Sequence, residues 1–135
     1  MSKKQIPYDE LDPNIVGLVR ALNKYPGVIT VGSCGGHEPP LQPSQWPAGS
    51  WYVKFDMVPD RTGWYVLEHL AWVINEDCRL LGEQHVILLP ISAPPYLNTP
   101  GRCLAFVIEG YEGENPDEIA AALNNTRQFL TKKRH

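Results

Sequence analysis

Hydrophobic and polar positions change period several times along the chain, and each change marks an element. Ile15, Val16, Val19 and Leu22 recur at the spacing of a helix face. Asp12 is placed to cap that helix, Pro13 suits its first turn, and Pro26-Gly27 stops it. Residues 28–31, Val-Ile-Thr-Val, form a short β-branched run that predicts a buried interior strand leading into the glycines that follow. Trp51, Val53, Phe55 and Met57 then alternate with Tyr52, Lys54 and Asp56, the period of a strand with one buried face. Over residues 63–77 the helical period returns in Leu67, Leu70, Ala71 and Ile74, with Trp64 and Trp72 beside the stripe and Asp60 or Thr62 as cap. The tryptophans at 51, 64 and 72 are therefore expected in the core, whereas Trp46 stands in a loop.

Residues 85–91 and 103–109 read as two further strands, and the proline-containing segment between them suits a wide hairpin. Asn115-Pro116-Asp117-Glu118 combines a cap, a first-turn proline and acidic residues matched to a helix dipole. Ile119, Ala122, Leu123 and Phe129 continue that last helix to about Thr131. The order predicts an α/β (α+β) fold: one domain over residues 1–135, with a mixed sheet of about four or more strands packed with three helices. Residues 1–11 and 132–135 are expected to be flexible ends.

Composition narrows the function more than the fold. A hydrophobic fraction of 43% with 20% charged residues is that of a globular protein, and a net charge of −3 argues against a partner as basic-seeking as long nucleic acid. The only basic run is the tail at 132–135. Three cysteines, Cys34, Cys78 and Cys103, are too few and scattered for a disulfide framework, and no C-x-x-C pair suggests structural zinc. With no signal-like apolar segment and no membrane-spanning run, the expected location is the cytoplasm and no membrane partner is assigned. Thirteen prolines and eleven glycines concentrate in two loop regions, about residues 32–63 and 90–101, where binding residues are most often carried.

The first of these loops holds the candidate chemistry, Gly32-Ser33-Cys34-Gly35-Gly36-His37-Glu38. Its glycines allow positive φ at Gly35 or Gly36, so that backbone N–H groups turn inward around an anion or a polar ligand edge, while Ser33 and His37 add side-chain donors. Glu38 is positioned to favour a charged His37. The segment Thr30-Val31-Gly32-Ser33-Cys34-Gly35-Gly36-His37 resembles the T-x-S-C-S-G-R segment of the wybutosine-synthesis methyltransferase family, which acts on a modified guanosine in phenylalanine tRNA. The order of elements is similar over residues 14–130, including a tryptophan-bearing strand like 50–55. His37 stands where that family has arginine and Gly35 where it has serine. The resemblance implies that Ser33, Cys34, Gly36 and His37 face a ligand pocket, and it implies S-adenosylmethionine as cofactor and tRNA as substrate.

Lys54, Tyr96, Asn98 and Arg102 are further candidates to complete a pocket for a nucleotide, through cationic contacts to phosphate and stacking on a base. Cys34 and His37 are also spaced for a thiolate–imidazole pair, but no third orienting group can be named, and Cys34 is not expected to act as a nucleophile. A metal site from Cys34, His37, His69 and His85 would need ligands from separate elements without any local ligand pair, so none is assigned. The leading expectation is a binding module for a small nucleotide or nucleotide-derived anion at residues 32–38, with homo-oligomers compatible. Such a module suits sequestration of a signalling nucleotide, for instance by a viral protein acting against host defence. The alternatives are an S-adenosylmethionine-dependent methyltransferase acting on a modified tRNA base and a protein-interaction module that uses its proline-rich loops.

Overall fold

A computed structural model describes residues 7–39, 45–77, 85–91 and 104–133. The candidates Tyr96, Asn98 and Arg102, and the cysteines at 78 and 103, lie outside them. Seven main elements follow in order: α1 (Val16–Asn23), β1 (Val28–Cys34), β2 (Trp51–Met57), α2 (Arg61–Trp72), β3 (Val86–Ile91), β4 (Leu104–Gly110) and α3 (Pro116–Lys133). A 3-10 turn at Tyr8–Glu10 and another at Pro13–Ile15 precede α1. The predicted α/β domain of four strands and three helices is the one observed.

The strands form one sheet in the order β1-β2-β4-β3, and its three pairings are antiparallel rather than mixed. The crossover through α2 does place β3 parallel in direction to β2, but β4 inserts between them, so no parallel pair forms. β1 is consequently an edge strand, not the interior strand that its β-branched run suggested. Trp51, Val53, Phe55 and Met57 point to one face, where they join Phe106 and Ile108 of β4 and the buried sides of the three helices. Alternation alone predicted that face of β2.

Each helix shows how local chemistry meets packing. Asp60 caps α2 by accepting from the Gly63 N–H at 3.0 Å, as expected, and a wider π-type turn at Val73–Asp77 continues it. Asn115 Oδ1 accepts from the Asp117 N–H at 2.9 Å at the start of α3. In the core, His69 on α2 meets the Tyr25 hydroxyl at 3.0 Å, and that hydroxyl donates to the Leu123 carbonyl on α3 at 3.1 Å. Burial pushes the Tyr25 phenol well above the usual tyrosine range, and the Arg127 charge and a Thr126 hydrogen bond offset only part of that.

Two of the three tryptophans expected in the core are not there. Trp51 is only 2% exposed and donates from Nε1 to the Glu114 carbonyl at 2.7 Å, whereas Trp64 is 60% exposed and Trp72 is also exposed. The inward face of α2 is made by Val66, His69 and Leu70, and Trp64 and Trp72 fall outside that stripe. On α3, Leu130 rather than Phe129 reaches the core.

Candidate functional site

The site begins with a defect in pairing. Thr30 opposes Phe55 and Gly32 opposes Lys54, so Val31 is an extra, unpaired residue: a β-bulge on the exposed edge strand. A bulge reverses the alternation beyond it. Val28 and Thr30 share the helix-covered face with Met57 and Phe55, but after Val31 the even-numbered residues turn over, and Cys34 comes to oppose Tyr52 on the other face. There Cys34, 3% exposed, packs with Tyr52 and Val107 in a second small cluster that Trp46 covers. Trp46 lies 4.9 Å from the Tyr52 ring and stacks on Tyr111 at 5.7 Å, which accounts for a tryptophan in a loop.

After Cys34 the chain folds back on residues 46–48. The His37 N–H donates to the Trp46 carbonyl at 2.7 Å, and the Ala48 N–H donates to the His37 carbonyl at 3.0 Å. Gly36 adopts φ +95°, the positive value expected of this turn. Gly35 is needed for a different reason: a Cβ there would lie 1.9 Å from the Asn14 side-chain oxygen. That absence of a side chain lets the segment before α1 close on the loop.

Asp12 performs this closure, and it does not cap α1 as the sequence suggested. Asp12 Oδ2 accepts from the Gly35 N–H at 2.8 Å and lies 3.0 Å from His37 Nε2. Asn14 adds a bond from Nδ2 to the Gly35 carbonyl at 2.8 Å. The carboxylate that meets His37 is therefore twenty-five positions earlier, and it is not the adjacent Glu38. The Gly36 N–H and the Trp46 N–H both point at Cys34 Sγ, at 3.4 and 3.3 Å. The backbone N–H groups of residues 35–37 are thus bonded inside the chain, so recognition of a ligand at this loop falls to side chains rather than to an open nest of N–H groups.

A cavity of about 210 Å³ opens over this arrangement. Asp12, Ser33, Cys34 and His37 line it, together with Glu10, Leu11 and Gln45. A second cavity of about 200 Å³ shares Leu11 and Ser33 with the first and is bounded by Pro7, Val19 and Thr30–Gly32, along the free edge of β1. The surroundings are electronegative: after burial, Cys34 and Asp12 are the groups that raise the Tyr52 phenol above its ordinary value.

Of the residues singled out from sequence, Ser33, Cys34 and His37 line the cavity, whereas Gly35 and Gly36 do not line it and instead form the turn between Cys34 and His37. Lys54 does not line it. Its ammonium sits 5.3 Å from the Tyr52 ring on the sheet face away from the helices. His69 is held in the core by Tyr25, and His85 pairs with Glu112 at 3.1 Å, so neither approaches Cys34 and His37. Asp12 is the residue that sequence reasoning missed, since Asp before Pro at a helix start carries the signature of a cap. Comparison with family models, with curated proteins and with solved structures finds no significant match.

Proposed function

We propose that the chain is a small-ligand-binding domain that holds a nucleotide or nucleotide-derived molecule in the cavity beside the end of β1. The observation that carries this reading is the pairing of two adjoining cavities of unlike lining. One is lined by the polar residues Glu10, Asp12, Ser33 and Gln45. The other is bounded by Pro7, Leu11, Val19 and Val31. Together they enter the lower part of the size range of small-molecule sites, about 300–1,000 Å³.

A flat base fits the apolar half, and carboxylates next to it accept from ribose hydroxyls or exocyclic amino groups. Phosphate belongs at the solvent side, because Asp12 and Glu10 repel an anion placed between them. The site thus reads the base and sugar, and the ligand leaves unchanged.

Titration calorimetry with a panel of nucleosides, mononucleotides, cyclic dinucleotides and S-adenosylmethionine tests this. A nucleoside is expected to bind within about tenfold of its own phosphate, and Ser33→Ala to weaken binding by roughly tenfold, the value of one hydrogen bond. Binding of S-adenosylmethionine with methyl transfer to a modified guanosine would replace this reading with the methyltransferase one. Failure of the whole panel would refute it.

A further inference from the structure

We infer that Asp12, Cys34 and His37 form a zinc-binding centre with one coordination position open to the cavity. A carboxylate oxygen, a sulfur and an imidazole nitrogen from these residues all lie within 4.8 Å of one another. Asp12 comes from the segment before α1, and Cys34 and His37 from the end of β1 and the loop that continues it, so two stretches of chain distant in sequence converge on one point.

The triangular arrangement distinguishes a metal centre from a catalytic relay. In a Cys–His–Asp relay the imidazole stands between its partners, and the sulfur and carboxylate are separated by a ring and two hydrogen bonds. Here the sulfur and a carboxylate oxygen lie within 4.8 Å of each other, too short for a ring to stand between them in line. Zinc bonds of about 2.0–2.3 Å to O, N and S give tetrahedral edges of roughly 3.3–3.8 Å. To reach those edges the Asp12–His37 separation of 3.0 Å widens by a few tenths of an ångström, while donor separations, at most 4.8 Å, close by up to about 1 Å; both of these side chains are partly exposed.

The donor set also fits the ion. A thiolate is a soft ligand that disfavours magnesium and calcium, while imidazole and carboxylate suit zinc. Thiolate and carboxylate together neutralise the two positive charges. On binding, Cys34 gives up its thiol proton to solvent and His37 ligates as the neutral imidazole, so the centre forms with release of protons. The N–H groups of Gly36 and Trp46 already aim at Sγ, the outer contacts that hold a metal-bound sulfur in place. Three protein ligands and a cavity at the fourth position make the open type of site, in which water or a ligand atom completes the shell. None of this depends on the nucleotide reading, since the donors are the chain's own.

The test uses the full chain, stripped with a chelator and titrated with Co²⁺ in place of zinc, without any nucleotide. The expected result is one Co²⁺ per chain, with the intense visible bands of a tetrahedral ion, a thiolate-to-cobalt charge-transfer band, and displacement of both by Zn²⁺. Replacing Cys78 and Cys103 together by serine should leave the spectrum intact, whereas Cys34→Ser should abolish the charge-transfer band. Because Cys34 is buried and its replacement can cost stability, His37→Gln provides the second arm. With a wild-type circular dichroism spectrum, it should lose affinity by about 100-fold or more, beyond the 10–100-fold typical of losing an outer contact. No bound cobalt, a spectrum without charge transfer, or wild-type affinity in folded His37→Gln would overturn the proposal.

Discussion

Removing the Asp12 carboxylate is the perturbation that the structure makes most quantitative. Asp12 Oδ2 receives the Gly35 N–H at 2.8 Å and meets His37 Nε2 at 3.0 Å, and these contacts join the segment before α1 to the loop after β1. Hydrogen bonds to a charged group are worth about 1.5–3 kcal/mol each when shielded. The Asp12 side chain is 30% exposed, so water replaces part of what is lost, and Asp12→Ala is expected to cost about 1–3 kcal/mol. With an unfolding entropy near 2.1 cal/mol/K per residue, a domain of this length loses about 3–4 °C of Tm per kcal/mol, or about 4–10 °C here. Asp12→Asn keeps an acceptor for Gly35 and removes the charge, so its loss should be roughly half as large. Thermal unfolding by circular dichroism in the presence of a chelator measures both against Asp9→Ala, an exposed acid in the preceding turn that should change stability by less than about 0.5 kcal/mol. If Asp12→Ala melted together with Asp9→Ala, or if Asn were as damaging as Ala, the closure by Asp12 would be wrong.

Three other outcomes follow from the same geometry. Gly36→Ala places a Cβ 2.5 Å from the Ser50 carbonyl at φ +95° and should cost more than about 2 kcal/mol in urea unfolding; a near-neutral result would show that the turn rearranges freely. Trp51→Phe loses the bond to Glu114 and core volume, about 1–3 kcal/mol, whereas Trp64→Gln should stay within about 0.5 kcal/mol, and the reverse ranking in denaturant midpoints would contradict the orientation of α2. Burial raises the Tyr25 phenol, so above about pH 10 the unfolded chain gives up this proton before the folded one does, and stability falls as pH rises. Tyr25→Phe should flatten that alkaline decline in a pH series of melting curves, and an unchanged slope would exclude Tyr25 as its source.

How much of this was legible in the chain depended on the range of the interaction. The alternation of Trp51 to Met57 and the opening Asn115-Pro116-Asp117-Glu118 are local signals, and both elements appear where they point. The positive φ at Gly36 was equally local. The insertion of β4 between β2 and β3 was not, because a crossover helix alone does not reveal which strand will fill the gap it leaves. The bulge at Val31 also escaped notice, since Val-Ile-Thr-Val reads as an uninterrupted strand, yet that extra residue decides which face Cys34 occupies. At the site, the loop 33–37 announced itself through its glycines. Its partner Asp12 did not, because a side chain that can cap a helix can equally turn to a distant loop, and only the fold decides between them.

The central claim, that a small nucleotide-type ligand is bound where Asp12, Ser33 and His37 line the cavity, is tested most directly by amide NMR of the full chain titrated with the same nucleoside and nucleotide panel. Saturable shifts are expected in residues 10–12, 33–37 and 45, with little change at Lys54 or around the core pair Tyr25 and His69. Saturable shifts confined to other surfaces, or no shifts with any member of the panel, would contradict it.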